Sequence, residues 1–171
     1  MRATTTRLDL ARRVASEVID PEMPMLTLAD LGVLRDVRGT GDGRVVVTIT
    51  PTYSGCPAMA TIRGDLVHAL RAAGFTDVQV RTTLTPAWSS GWITEAGRRK
   101  LADHGIAPPG RPVAPTAGPV PLTLTPRRPV VVCPVCGSVD TELTSEFGAT
   151  PCKSLHRCRS CTEPFERVKE I

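Results

Sequence analysis

The residues best suited to chemistry in this chain are its cysteines. Four of the six stand in two Cys-x-x-Cys pairs, Cys133-Pro134-Val135-Cys136 and Cys158-Arg159-Ser160-Cys161, with 21 residues between them. A two-residue spacer lets both thiolates of a pair turn toward one point. Two such knuckles supply four soft donors, a set that suits tetrahedral zinc. A rubredoxin-like iron centre or a cluster takes similar ligands, and structural zinc is the favoured reading. Cys152 and His156 fall between the pairs and are surplus to a four-ligand site; Cys152 reads as a core thiol, with an exchange ligand as the alternative.

A second site is suggested by Cys56. The valine-rich run Val45 to Ile49 leads through Pro51-Thr52-Tyr53-Ser54-Gly55 to Cys56-Pro57, and Met59, Ile62, Leu66, Leu70 and Ala73 then follow at helical spacing up to Gly74. Pro57 suits a first helical position, which puts Cys56 at the cap between a strand's end and a helix's start. Unpaired backbone donors and the helix dipole favour thiolate there, able to bind a soft metal or attack an electrophile. Gly55 and the hydroxyls of Thr52, Tyr53 and Ser54 favour a functional role, whereas the plain alternative is a small residue plugging the corner. If Cys56 were a nucleophile, His68 would be its candidate base.

These residues must be positioned by a small α/β domain. Residues 5 to 19 read as an amphipathic helix stopped by Asp20-Pro21, and Pro21-Glu22-Met23-Pro24 as an extended loop. Asp30-Leu31-Gly32 reads as a turn. Val33 to Arg38 and the valine run form a hairpin across Gly39 to Gly43, and Asp77 to Leu84 forms a third strand. A strand, a helix and a strand imply a crossover, so the third strand should run parallel to the valine strand in a small mixed sheet. Sites in such sheets gather at the carboxyl ends of strands, where Cys56 falls and where Asp20 and Glu22 can approach if the first helix packs back. Trp88 and Trp92 read as a lid on the sheet, or else a docking patch, ahead of a short helix from Thr94 to Asp103 with Gly105 as its stop.

Eight of the sixteen prolines lie in residues 107–129, a composition that makes a semi-rigid linker. The expected organisation is therefore an α/β domain over 1–106, a proline-rich linker over 107–129, and a zinc-ribbon-like β module over 130–171. About 40 residues bury too little apolar surface to fold unaided, so the metal must supply much of that module's stability.

Composition narrows the function. Net charge is +4, but residues 1 to 104 carry 13 basic and 11 acidic groups, the middle adds three arginines, and residues 133 to 171 carry five basic and six acidic. The excess sits in the linker and aromatics are only 4%, which argues against a nucleic-acid partner. No apolar run reaches the roughly 18 residues needed to span a bilayer, and no signal peptide is evident, so a cytoplasmic location with reduced thiols is expected.

Further residues carry a family resemblance. Asp20-Pro21-Glu22-Met23-Pro24, Asp30-Leu31-Gly32 and Thr52 to Pro57 resemble the domain shared by SufT and related iron-sulfur assembly factors. Pro86 to Thr94, Gly105 to Pro109, and the ribbon with Phe147-Gly148 and Cys152-Lys153 are similar to the PaaD (PaaJ) family, over nearly the whole chain apart from the linker. That family supplies accessory subunits to the bacterial phenylacetyl-CoA epoxidase system in aerobic phenylacetate degradation. The resemblance implies a non-enzymatic factor that helps to mature the iron-sulfur or di-iron centres of the oxygenase or its reductase. Cys56 would transiently hold iron or a cluster, with Asp20 and Thr52 shaping its surroundings. A purely structural subunit is the alternative, and a homodimer is compatible with either. The chain agrees in having no pair of Glu-x-x-His motifs and no Gly-rich dinucleotide fingerprint. It departs from relatives that end in a Phe-Lys-Cys-like tail, since it ends Val168-Lys169-Glu170-Ile171.

Overall fold

The computed structural model describes residues 2–110 and 129–170, with side chains from residue 7 onward; most of the linker segment, 111–128, lies outside the described residues. Two compact units result, one ending at His104 and one running Gly105–Glu170.

The first unit is built on β2 (Val45–Ile49), which pairs antiparallel with β1 (Leu34–Gly39) and parallel with β3 (Val78–Thr82), giving the order β1-β2-β3. As the middle strand it is covered on both faces, and Val45, Val46, Val47 and Ile49 are all buried; this is why its sequence is a continuous apolar run rather than an alternation. Helix α1 (Arg2–Ser16) packs on β1 and β2 and against α2 (Met59–Ala72), which in turn contacts β3. Ala11 and Ala15 of α1 and Ile62, Leu66 and Leu70 of α2 are fully or almost fully buried. Gly74, at φ +91°, ends the second helix as its sequence position implies.

Helix α1 stops before the expected proline signal. The segment beyond Ser16 is taken into a short antiparallel pairing instead: Ile19 bridges Thr27, the Asp20 amide donates to Leu26 and the Leu28 amide to Val18. Strand-like hydrogen bonds here replace the last helical turn.

After β3, a single 3-10 turn (Ser90–Trp92) leads to α3 (Glu95–Asp103). Trp88 is buried and its indole N–H donates to the Leu31 carbonyl at 2.9 Å, so it completes the core as a lid does. Thr94 caps α3 by accepting from the Gly97 amide at 2.9 Å. Gly32 has φ +69°, and a Cβ there would lie 2.5 Å from Trp92 Cβ, so glycine is required on both counts.

The second unit is a four-stranded sheet of order β4-β7-β6-β5, formed by β4 (Ile106–Ala107), β5 (Thr141–Ser145), β6 (Lys153–Cys158) and β7 (Pro164–Val168). Ile106 and Ala107, which straddle the expected domain boundary, lie parallel to β7 in this sheet. Its core is small: Ala107, Val131, Cys133, Cys158 and Phe165, with Cys161 packed against them.

Candidate metal centre

The two knuckles are shaped by the backbone. In the first, the Gly137 amide donates to the Cys133 carbonyl at 2.9 Å, and Gly137 takes φ +75° to turn the chain. In the second, Thr162 takes φ +64° and the Cys158 amide donates to the Glu163 carbonyl at 2.9 Å. A Ser138 to Ser160 hydroxyl contact of 2.8 Å ties the knuckles together.

As a result Cys133, Cys136, Cys158 and Cys161 converge, all four sulfurs lying within 4.8 Å of one another. Cys136 and Cys158 are 3.5 Å apart and Cys133 and Cys161 3.8 Å apart. Four sulfurs at about 2.3 Å from a tetrahedral centre stand about 3.8 Å from each other, so the set fits such an ion. These separations are far beyond the ~2.0 Å of a disulfide.

The electrostatics favour a cation among these donors. The Cys161 backbone N–H aimed at Cys158 Sγ outweighs burial and, with help from that of Ser160, brings the Cys158 thiol down to about 6. Cys161 goes the other way. A hydrogen bond from the Glu163 amide favours its thiolate, but burial and three crowding sulfurs push the group up to about 12. Four thiolates so close repel one another unless a positive ion neutralises them.

Cys152 and His156 stay out of this group. Cys152 is buried, with Thr150 Oγ1 at 3.0 Å from its sulfur. His156 is stacked on Phe165 with ring centroids 5.6 Å apart, and its Nε2 lies 3.0 Å from Ser154 Oγ. Burial, reinforced by the nearby Arg167 charge, pushes His156 below its ordinary range, so the ring is held neutral near pH 7.

In the first unit Cys56 is half-buried and sits in a turn ahead of α2. Its amide donates to the Tyr53 carbonyl at 3.3 Å, and its carbonyl accepts from Met59 at 3.4 Å. The expectation that Cys56 caps the helix is corrected. Ala58 occupies the cap in helical geometry, because Pro57 and Ala58 form a separate turn before the regular ladder begins. Thr52 is half-buried in the same loop, and Asp20 is buried, its Oδ1 accepting from the Glu22 amide at 2.9 Å and the Met23 amide at 2.8 Å. His68 is exposed and lies nine residues into α2, roughly 14 Å along its axis from the start at 1.5 Å per residue, beyond reach of a shared proton with Cys56. The four ribbon cysteines form the sole group of three or more His, Cys, Asp or Glu at ligand distance among the described residues.

Two ion pairs that hold the scaffold escape sequence reasoning, Asp30–Lys100 at 2.6 Å and Lys153–Glu166 at 2.6 Å. Asp30 stands in a turn-like segment and Lys153 in a strand, and neither position carries a local signal for a partner so far along the chain.

The chain is 46% identical over 156 residues to a protein of Escherichia coli provisionally named as a subunit of 1,2-phenylacetyl-CoA epoxidase, spanning 91% of this chain and 88% of that protein. The chain belongs to the PaaD family. A PaaD zinc beta ribbon domain model matches residues 117–169, which hold all four converging cysteines, and an iron-sulfur cluster assembly protein model matches residues 11–82, which hold Asp20, Thr52 and Cys56. Over 97 residues the PaaD-family chain is also 32% identical to an Fe-S protein maturation auxiliary factor of Porphyromonas gingivalis, covering 56% of this chain and 90% of that one. In fold, it resembles the crystal structure of a domain of unknown function from Bacillus anthracis, with TM-score 0.52, 24% identity, and coverage of 57% of this chain and 92% of that chain. Among the described residues no helix is long and apolar enough to cross a membrane.

Proposed function

We propose that the chain is an accessory, non-catalytic subunit of a cytoplasmic phenylacetyl-CoA epoxidase system that assists maturation of an iron-sulfur or di-iron centre in the oxygenase or its iron-sulfur reductase. The observation that carries this reading is the likeness over 91% of the chain to a protein named as such a subunit, joined to an iron-sulfur assembly match that holds Cys56. Residues 1–104 act as the assembly domain and 130–170, joined by the β4 pair Ile106–Ala107, as the ribbon, with 108–129 as a spacer in the chain.

In this reading Cys133, Cys136, Cys158 and Cys161 hold a structural zinc, which supplies the folding free energy that the small ribbon core lacks. Cys56 supplies one donor to transient iron or a cluster, and Asp20 and Thr52 shape the loop around it. Because the ribbon cysteines are the sole group of three or more ligand-type residues at ligand distance among the described residues, the remaining donors come from the client or from a second copy of the chain. Fewer than three donors at ligand distance around Cys56 favour passage over storage.

Anaerobic purification with metal analysis of wild type, Cys56→Ser and a Cys133→Ser/Cys136→Ser double variant tests this. The expected result is one zinc that depends on the ribbon pair, together with a lower cluster content in the reductase when Cys56→Ser replaces wild type in the co-expressed system. Normal cluster content with unchanged copurification would instead favour a subunit that only stabilises the complex.

A further inference from the structure

Phe147 is the most exposed aromatic side chain among the described residues of the ribbon unit, at 64%, and it sits in the loop joining β5 to β6. That loop is fixed at many points. Ser145 Oγ accepts from the Phe147 amide at 3.2 Å and donates to the Phe147 carbonyl at 2.9 Å. The Gly148 amide donates to the Lys153 carbonyl at 2.8 Å, the Lys153 amide to the Thr150 carbonyl at 3.0 Å, and the Ala149 amide to Glu166 Oε1 at 3.0 Å. Gly148 is closely packed in this turn: a Cβ there would lie 2.8 Å from Glu166 Oε1, a side-chain tip that can give, and 3.3 Å from Lys153 Cβ. So many bonds holding a phenyl ring in water leave it preorganised for contact, because the ordering cost that usually opposes binding has been met in folding.

The ring is accompanied by a charge. Lys169 Nζ lies 4.2 Å from the Phe147 centroid. The other nearby charges neutralise each other, Lys153 with Glu166 and Arg167 with Glu170. Exposed Glu146 precedes Phe147, but the charge seated on the ring is the ammonium. Leu143, 47% exposed on edge strand β5, extends the apolar surface along the same hairpin. An aromatic anchor with a flanking cation is what an apolar socket rimmed by carboxylates complements.

We infer that the Phe147–Lys169 pair is the anchor by which the ribbon docks a client protein, and that the client offers an apolar socket bordered by acidic side chains. This rests on the accessory-subunit reading, and it separates the ribbon's metal, which builds the unit, from the surface that the unit presents.

The probes are the purified oxygenase and iron-sulfur reductase of the same epoxidase system, titrated against the full-length chain with calorimetry at low and moderate salt. Phe147→Ala and Lys169→Glu are each expected to weaken binding at least tenfold, and Lys169→Glu to remove most of its salt dependence. Glu146→Lys is expected to hold or tighten it, and Leu84→Ser, an exposed apolar position in the other unit, to leave it unchanged. Zinc content and circular dichroism establish that each variant folds. Wild-type affinity in both Phe147→Ala and Lys169→Glu overturns the inference while sparing the accessory role, as does tightening by Lys169→Glu. Loss of dimer in Phe147→Ala by light scattering, with client affinity intact, overturns it in favour of self-association. No binding of either probe by wild type sinks both the inference and the accessory reading.

Discussion

Lys100 on α3 and Asp30 in the turn ahead of β1 are seventy positions apart in sequence, yet their Nζ and Oδ2 atoms lie 2.6 Å apart. The same carboxylate accepts from the Thr27 amide at 3.1 Å and the Thr94 hydroxyl at 3.3 Å, and the Asp30 carbonyl accepts from the Thr94 amide at 2.9 Å. Asp30 thus fastens the Trp88–α3 segment to the turn that opens the sheet. Burial alone would raise its carboxyl, but Lys100 and then the Thr27 amide and hydroxyl bring it below the usual carboxylate range.

Asp30→Asn is therefore expected to cost about 1–3 kcal/mol, the range for lost hydrogen bonds to a buried charge. Lys100→Met should cost less, on the order of 1 kcal/mol, because the Asp30 carboxylate that it leaves without a counter-charge keeps its bonds from the Thr27 amide and the Thr94 hydroxyl. Urea unfolding midpoints of the two variants check the order.

Acid should weaken wild type more than Asp30→Asn. The Asp30 and Glu166 carboxyls are both held below their unfolded values, Glu166 against burial by Lys153 and then the Ala149 amide. Their contribution is complete above the ordinary carboxylate range near pH 4 and is lost as pH falls through the lower, folded values. Unfolding midpoints followed from pH 7 to pH 3 should fall more gently in Asp30→Asn, with no divergence between pH 6 and 7.

Glu166→Gln should be among the most damaging single changes in the ribbon. It leaves the Lys153 ammonium, only 6% exposed as a side chain, without its counter-charge, at an expected cost of about 3 kcal/mol. Lys153→Met should cost less, because Glu166 is partly in water and keeps its bond to Ala149. Thermal unfolding of metal-loaded protein distinguishes the two.

Gly32→Ala combines a positive φ with a backbone neighbour at 2.8 Å, the Trp92 carbonyl oxygen, which cannot step aside as a side-chain tip would. A loss on the order of 3 kcal/mol is expected. Near-ultraviolet dichroism should show the tryptophan signal lost at a lower temperature.

Removing the metal with a strong chelator should unfold residues 129–170 and spare the first unit. The ribbon's core cluster is a handful of residues, two of them the ligand cysteines Cys133 and Cys158, whereas the first unit has a full core under β2. Amide spectra before and after chelation would reveal it, as selective collapse of the signals from β5, β6 and β7.

Much of this is legible from residues alone. The valine run, the spacing of Ile62, Leu66 and Leu70, the Thr94 cap and the glycine stops are local signals, written in periods of two and 3.6 residues, and they indicate the strand, the helices and the pairing order β1-β2-β3. The cysteine spacing likewise announces a four-ligand site, because a Cys-x-x-Cys turn closes within itself. The limits of α1 and α2 are less visible. Val18 to Asp20 pair with Leu26 to Leu28 and Pro57-Ala58 form their own turn, so competing hydrogen bonds shorten both helices against their patterns.

Sequence by itself determined which residues are apolar at which period, where the chain must turn and how many thiols stand ready for a metal. Tertiary structure decided what no spacing encodes: that Asp30 meets Lys100 and Lys153 meets Glu166, that His68 lies too far along its helix to serve Cys56, and that Phe147 stands in water beside Lys169. The physical reason is distance along the chain. Backbone periodicity fixes neighbours within a few residues, whereas contacts between remote side chains exist only after the sheets have closed and burial has set which charges need a partner.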